Sequence, residues 1–210
     1  MASRKYNGFS LLEMLITISI ILILSGVTFI GLKPMFNQSH VDSAYDTALM
    51  ALRNTRNLAI TQSHEYYVNF NPAGFPPGTI QVEYQPPAIG AGAAPPLEQV
   101  ITYSIPADVS FAVQAGFPAS APDNFGTGAV AIDFGQTLAG EPLNYVIFMP
   151  DGSSQASVVG NSGTYNSGIV YMTRTSDTIY TSRAITVWGA TGRIRGWRLN
   201  PQGGGTWVQQ

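Results

Sequence analysis

Apolar and polar positions divide the chain into three regimes. From Phe9 to Leu32 the only charged residue is Glu13, and Met14 to Leu32 runs 19 residues without a charge. At 1.5 Å per residue that stretch makes roughly 29 Å of helix, about the thickness of a bilayer's hydrocarbon core. From Val41 onward the positions Val41, Tyr45, Ala48, Leu52, Thr55 and Ala59 recur at alternating steps of four and three, while Asp42, Asp46, Arg53 and Asn57 fall on another face. This spacing predicts an amphipathic helix over 34–65 that continues the span of 9–33. Gly26, Gly31 and Pro34 interrupt the pattern, and Pro34 lacks a backbone donor and crowds the preceding turn, so a kink or local melting is expected between Gly26 and Pro34.

Beyond residue 65 the pattern shortens to strand-like runs: Tyr66–Phe70, Val100–Ile105, Ser110–Val113, Ala129–Phe134, Tyr145–Phe148, Ile169–Thr173, Ala184–Trp188 and Ile194–Leu199. Pro150-Asp151-Gly152 and Ala190-Thr191-Gly192 carry the clearest turn chemistry between them. Residues 71–98 are rich in Pro and Gly and read as a long surface loop, within which only Thr79–Tyr84 alternates like a strand. The expected fold is therefore α+β. A long N-terminal membrane-spanning helix packs its C-terminal half against an antiparallel β-sheet domain covering 66–210, with Tyr145, Phe148, Tyr171, Trp188 and Trp197 as core and rim.

Composition sharpens this picture by exclusion. With 45% apolar residues and 10% charged, 210 residues can bury a sizeable core, and 36 Gly and Pro residues suit a loop-rich β protein. No cysteine is present, which removes disulfides, thiol catalysis and thiolate metal sites. His40 and His64 would lie about 36 Å apart on one helix, too far to share a metal. Asp133 and Asp151 have no companion at a telling spacing, and Gly203–Gly205 lacks the lysine of a phosphate loop. No metal site, no cofactor and no enzyme activity are expected.

The net charge of −2 gives no global attraction to nucleic acid, so any such preference must be local. Arg4 and Lys5 precede the span and only Lys33 lies close after it, which keeps the N-terminus cytoplasmic and exports the rest. A cleaved secretory signal fits neither the length of the apolar run nor its flank. Glu13 is the anomaly, since a carboxylate in an apolar span costs roughly 2.5 to 3.5 kcal/mol unless paired or protonated. On composition alone it either snorkels to the interface or awaits a partner.

Gly8-Phe9-Ser10-Leu11-Leu12-Glu13, behind a short basic leader and ahead of the apolar run, resembles the class III signal of type IV pilins and pseudopilins. The resemblance implies that residues 1–8 are a leader, that a prepilin peptidase cuts after Gly8, and that Phe9 becomes the N-methylated terminus. It further implies that Glu13 pairs with the Phe9 amine of a neighbouring subunit during filament assembly. In that family a helix break such as the one expected here lets the helix stretch in the filament.

Phe148-Met149-Pro150-Asp151-Gly152-Ser153-Ser154, Gly168–Tyr171, Arg183–Val187 and Thr191–Arg195 together resemble the C-terminal half of the GspH/FimT group of minor pilins and pseudopilins. Between Glu65 and Asp177 there are nine acids and one base, whereas Thr178 to Gln210 holds four arginines and no acid. Arg193 and Arg195 share one side of a strand and Arg198 takes the other. In the FimT-like branch a Gly-Arg-x-Arg sequence at this place is associated with DNA capture, which Gly192-Arg193-Ile194-Arg195 matches residue by residue. The resemblance thus implies a minor subunit of a type IV pilus-like filament, binding double-stranded DNA through Gly192, Arg193, Arg195 and Arg198. Two alternatives stay open: the arginines pair with acids of the sheet or of a neighbouring subunit, or the protein is a minor pseudopilin of a type II secretion system without DNA binding. In each case the implied partners are other pilin or pseudopilin subunits, the prepilin peptidase and the bacterial inner membrane, with the precursor inserted once and the C-terminal domain extracytoplasmic.

Overall fold

A computed structural model describes residues 9–86, 95–138, 141–156, 163–202 and 205–210. The chain divides into two compact units, one ending at Gln38 and the other comprising Ser39–Gln210. The α-helix α1 spans Leu11–Gln62. Among the described residues twelve strands follow: β1 Tyr66–Phe70, β2 Thr79–Tyr84, β3 Glu98–Ser104, β4 Ile132–Asp133, β5 Thr137–Leu138, β6 Glu141–Pro142, β7 Tyr145–Phe148, β8 Ser154–Gln155, β9 Gly168–Met172, β10 Arg183–Trp188, β11 Arg193–Asn200 and β12 Thr206–Gln209. Every pairing is antiparallel.

In the first unit, the 18 residues Leu11–Thr28 form a helix long and apolar enough to cross a membrane, and none of them is buried within the protein. Its hydroxyls are turned back on the backbone: Thr17 donates to the Met14 carbonyl at 2.9 Å, Ser19 to Leu15 at 2.8 Å, Ser25 to Ile21 at 2.7 Å and Thr28 to Leu24 at 2.8 Å. Such internal satisfaction is what an apolar surrounding demands of a polar side chain. The helical backbone runs through Gly26, Gly31 and Pro34, so the local melting expected there is absent.

In the second unit the amphipathic stripe behaves as its spacing predicts. Val41, Ala48, Leu52, Thr55 and Ala59 are fully buried and Tyr45 nearly so. Thr55 is tolerated in this row because its hydroxyl donates to the Ala51 carbonyl at 2.7 Å. Against the stripe pack two five-stranded sheets in place of the single one expected, ordered β3-β2-β1-β7-β8 and β12-β11-β10-β9-β4, with β5 and β6 forming a separate ribbon. One apolar cluster joins α1 to Val68, Phe70, Ile80 and Phe148 of the first sheet and to Val170, Met172, Ile185 and Val187 of the second.

Two contacts set the approach of α1 to the second sheet. Gly196 on β11 lies against the Tyr45 ring, where a Cβ would overlap the phenol oxygen. Arg183 on β10 is 1% exposed and donates to Asp42 at 2.6 Å and to the Thr181 and Ser182 carbonyls at 2.8 and 3.2 Å. Burial pulls its pKa down, and the Asp42 carboxylate opposes that by favouring the charged guanidinium.

The structure revises several expectations. Residues 71–98 are not one loop: β2 is an interior strand bonded on both sides, with Ile80 and Val82 buried. Ser110–Val113 contributes only a single bridge, Ser110 to Thr173, and the run 129–134 condenses to β4. The tail carries an edge strand, β12, with no counterpart among the predicted strands. The outer face of the second sheet is covered as well: Ile169, Tyr171 and Ala184 pack with Val113, Phe117, Phe125, Trp197 and Trp207. That double covering is why β9, Gly168–Met172, is buried at every position and shows no alternation.

Candidate functional site

At the N-terminal end, Gly8 lies outside the described residues. Phe9 is 79% exposed, and Glu13 sits in the first turn of α1, also exposed. Its one-turn spacing from Phe9 brings the two groups proposed for assembly to the same end of the otherwise uncharged stretch Leu11–Thr28. Among the described residues the Glu13 carboxylate makes no hydrogen bond or ion pair, unlike the hydroxyls of Thr17, Ser19, Ser25 and Thr28.

The arginine turn is built by three elements of the second unit. Gly192 adopts φ +58°, and a Cβ there would overlap the Gly152 carbonyl oxygen, so the turns at 150–152 and 190–192 meet backbone to backbone. Arg56 of α1 fastens them together, its Nε donating to the Gly152 carbonyl and its Nη2 to the Thr191 carbonyl, both at 3.0 Å. The Asp151 carboxylate accepts from the Ser153 amide at 2.8 Å, and hydrogen bonds from Ser153 hold its pKa below the usual range. Arg53, Arg56, Asn57, Thr191, Gly192, Arg193 and Ile194 line a pocket of about 360 Å³ beside the hairpin.

The structure places the four residues expected to bind DNA in different surroundings. Arg193 is exposed at the start of β11 and has no carboxylate within ion-pair distance among the described residues. Arg195 is engaged: its Nη1 donates to Asp123 Oδ1 at 2.7 Å, and its guanidinium lies 5.2 Å from the Trp188 ring centroid. Asp123, whose side chain is 6% exposed, also accepts from Thr186 Oγ1 at 2.7 Å and Trp188 Nε1 at 2.9 Å, while Trp197 Nε1 donates to Thr186 at 2.9 Å. Arg198 is exposed but five residues further along β11, about 16 Å away at strand rise, where it lines a different pocket with Asn200 and Val208.

Sequence reasoning placed Arg53 and Asn57 on the polar face of the helix without linking them to the turn, and it gave Arg56 and Asp123 no part. Arg56 reaches its carbonyls across 96 and 135 positions. A weak signal for Asp123 existed, because it is the only acid between Asp108 and Asp133. Among the described residues no group of three or more His, Asp and Glu side chains could hold a metal ion.

Comparison with known families gives one match: residues 3–29 fit the prokaryotic N-terminal methylation motif. No curated protein and no solved structure matches the chain. The motif, the exposed apolar helix and the α+β architecture with antiparallel sheets support a type IV pilin-like protein, a structural subunit whose precursor is anchored in the membrane.

Proposed function

We propose that this protein is a minor subunit of a type IV pilus-like filament, cleaved after Gly8, methylated at Phe9 and drawn into the filament by Glu13. The observation that carries the reading is the helix Leu11–Thr28, apolar, wholly uncovered and with its hydroxyls satisfied, in which Glu13 alone is left unpartnered beside Phe9. A cationic Phe9 amine from a neighbouring subunit would complete that carboxylate in a low-dielectric setting, where the attraction is strengthened. Mass spectrometry of protein isolated from membranes should find a mature chain beginning with N-methylated Phe9. The Glu13→Ala variant should remain in the membrane fraction and be lost from sheared filaments. Retention of Met1–Gly8 in the mature protein would instead indicate a monomeric tethered protein.

The finer reading gives the Gly192–Arg195 turn a DNA-binding role, supported by the exposed, unpaired Arg193 and by the basic pocket beside it. The Arg195–Asp123 pair favours a second reading, in which this end makes protein contacts as a minor pseudopilin of a type II secretion system. Binding of duplex DNA by the mature full-length chain across a salt series separates the two. Salt-sensitive binding weakened by Arg193→Gln supports DNA uptake, and no binding at low salt supports secretion.

A further inference from the structure

We infer that the phosphate-binding group of this protein is the pocket between α1 and the β10–β11 hairpin, with Arg53 and Arg193 as its ligands, Asn57 as a neutral donor and Arg56 as the residue that fastens the turn preceding Arg193. The inference deepens the DNA reading and rests on it for the source of the phosphate, a nucleic acid backbone. It replaces the row Arg193, Arg195, Arg198, in which Arg195 is already paired with Asp123 and Arg198 lies about 16 Å along the strand from Arg193.

Three observations converge. First, the pocket is lined by three arginines and an asparagine and by no acid, and among the described residues none of the three has a carboxylate within ion-pair distance. Arg56 gives its Nε and Nη2 to neutral carbonyls, which fixes its position and leaves its charge uncompensated. Second, the nearest turn acid, Asp151, is directed to the Ser153 amide. Third, the volume of about 360 Å³ is many times the roughly 30 Å³ that one water occupies in the liquid, enough for a hydrated phosphate group. Guanidiniums suit such a ligand because their fork of donors matches phosphate oxygens. The wall opposite the helix is stiff, since Gly152 and Gly192 touch through their backbones. Arg53 and Arg193 are exposed and free to close on an anion from either side.

The test uses the mature full-length chain in an uncharged detergent, with arginine side-chain NMR during titration by inorganic phosphate and, separately, binding of a duplex oligonucleotide across a salt series. Saturable shifts at the Arg53 and Arg193 Nε–H signals, larger than at Arg198, are expected. Arg53→Gln and Arg193→Gln should each weaken duplex binding about three- to tenfold and lower the slope of log K against log salt by about 0.9, whereas Arg198→Gln should change affinity less than about twofold. Both substituted residues are exposed and unpaired, so a loss would not reflect unfolding. Equal phosphate shifts at all three arginines, or duplex binding unaffected by Arg53→Gln and abolished by Arg198→Gln, would overturn the pocket while leaving DNA binding in place. Phosphate shifts confined to the pocket with no duplex binding would uphold the pocket and end the DNA reading.

Discussion

Helix α1 contains two stretches of the same secondary structure with opposite arrangements of apolar surface. In Leu11–Thr28 the large side chains, Leu11, Ile16, Ile20, Leu22 and Leu24 among them, are about half to four-fifths exposed. In Val41–Ala59 the recurring positions Val41, Tyr45, Ala48, Leu52 and Ala59 form one buried stripe, while the exposed face carries polar residues together with Met50. The difference teaches where each part finds its solvent. The second stretch is covered by its own sheets, whereas the first is uncovered among the described residues, and the proposed function gives it lipid before assembly and neighbouring helices in a filament afterwards.

The sharpest way to break this comparison is to delete the same side chain from each stretch. Leu52→Ala leaves a cavity under two sheets and should cost about 2 to 5 kcal/mol, whereas Leu22→Ala should stay within about 0.5 kcal/mol. Denaturation followed by fluorescence of Trp188, Trp197 and Trp207, all in the second unit, reads both values. Equal losses would mean that the first stretch is packed within the chain after all.

A smaller effect is expected where the covered stretch meets a buried charge. Asp42→Ala leaves the Arg183 guanidinium, 1% exposed, without its carboxylate. Because Asp42 is itself 44% exposed and water can enter, the loss should be about 1 to 3 kcal/mol, at or below the usual range for a broken buried pair. Arg183→Met in the same background should recover part of it, since the orphaned charge is then gone.

Smaller again is the release of Asp123. Asp123→Asn should cost about 1 to 2 kcal/mol through its bonds to Arg195, Thr186 and Trp188. It should also free the Arg195 guanidinium and strengthen binding of duplex DNA. An unchanged affinity would show that Arg195 stays on the Trp188 ring without its carboxylate.

What could be read in the sequence follows the same division. The apolar run and the buried stripe were legible because each is a local pattern of one helix. Tyr66–Phe70 and Tyr145–Phe148 were legible as strands in their full extent because turn residues bound them. β2 was hidden by the prolines around it, although its own alternation was visible. β12, four residues with a single large apolar anchor, Trp207, offered too little pattern. The pairing of Arg195 with Asp123, 72 positions away, and the fastening of two turns by Arg56 arise only when α1 is laid on the sheet, so alternation along β11 overstated the free cations.

A last substitution probes the cover on the outer face of the second sheet. Tyr171 lies with Phe117 at 5.5 Å and Trp207 at 5.6 Å between ring centroids, and burial first, then the charge of Asp133, pushes its phenol up to about 12 from 10.0. A group whose folded pKa is raised contributes stability that is fully present below its ordinary pKa and is lost as pH rises through the folded value. Stability should therefore hold to about pH 10 and decline toward pH 12 as the buried phenol ionises. Phe117→Ala uncovers the ring and should bring the Tyr171 titration back toward 10, seen as tyrosinate absorbance appearing at lower pH. Tyr67 is also pushed up to about 12, by burial first and then by Glu65 and Tyr145 on the other sheet, and it should not move. If both shift together, Phe117→Ala has loosened the whole unit, and the segment around Phe117 supports the fold as well as covering one face of it.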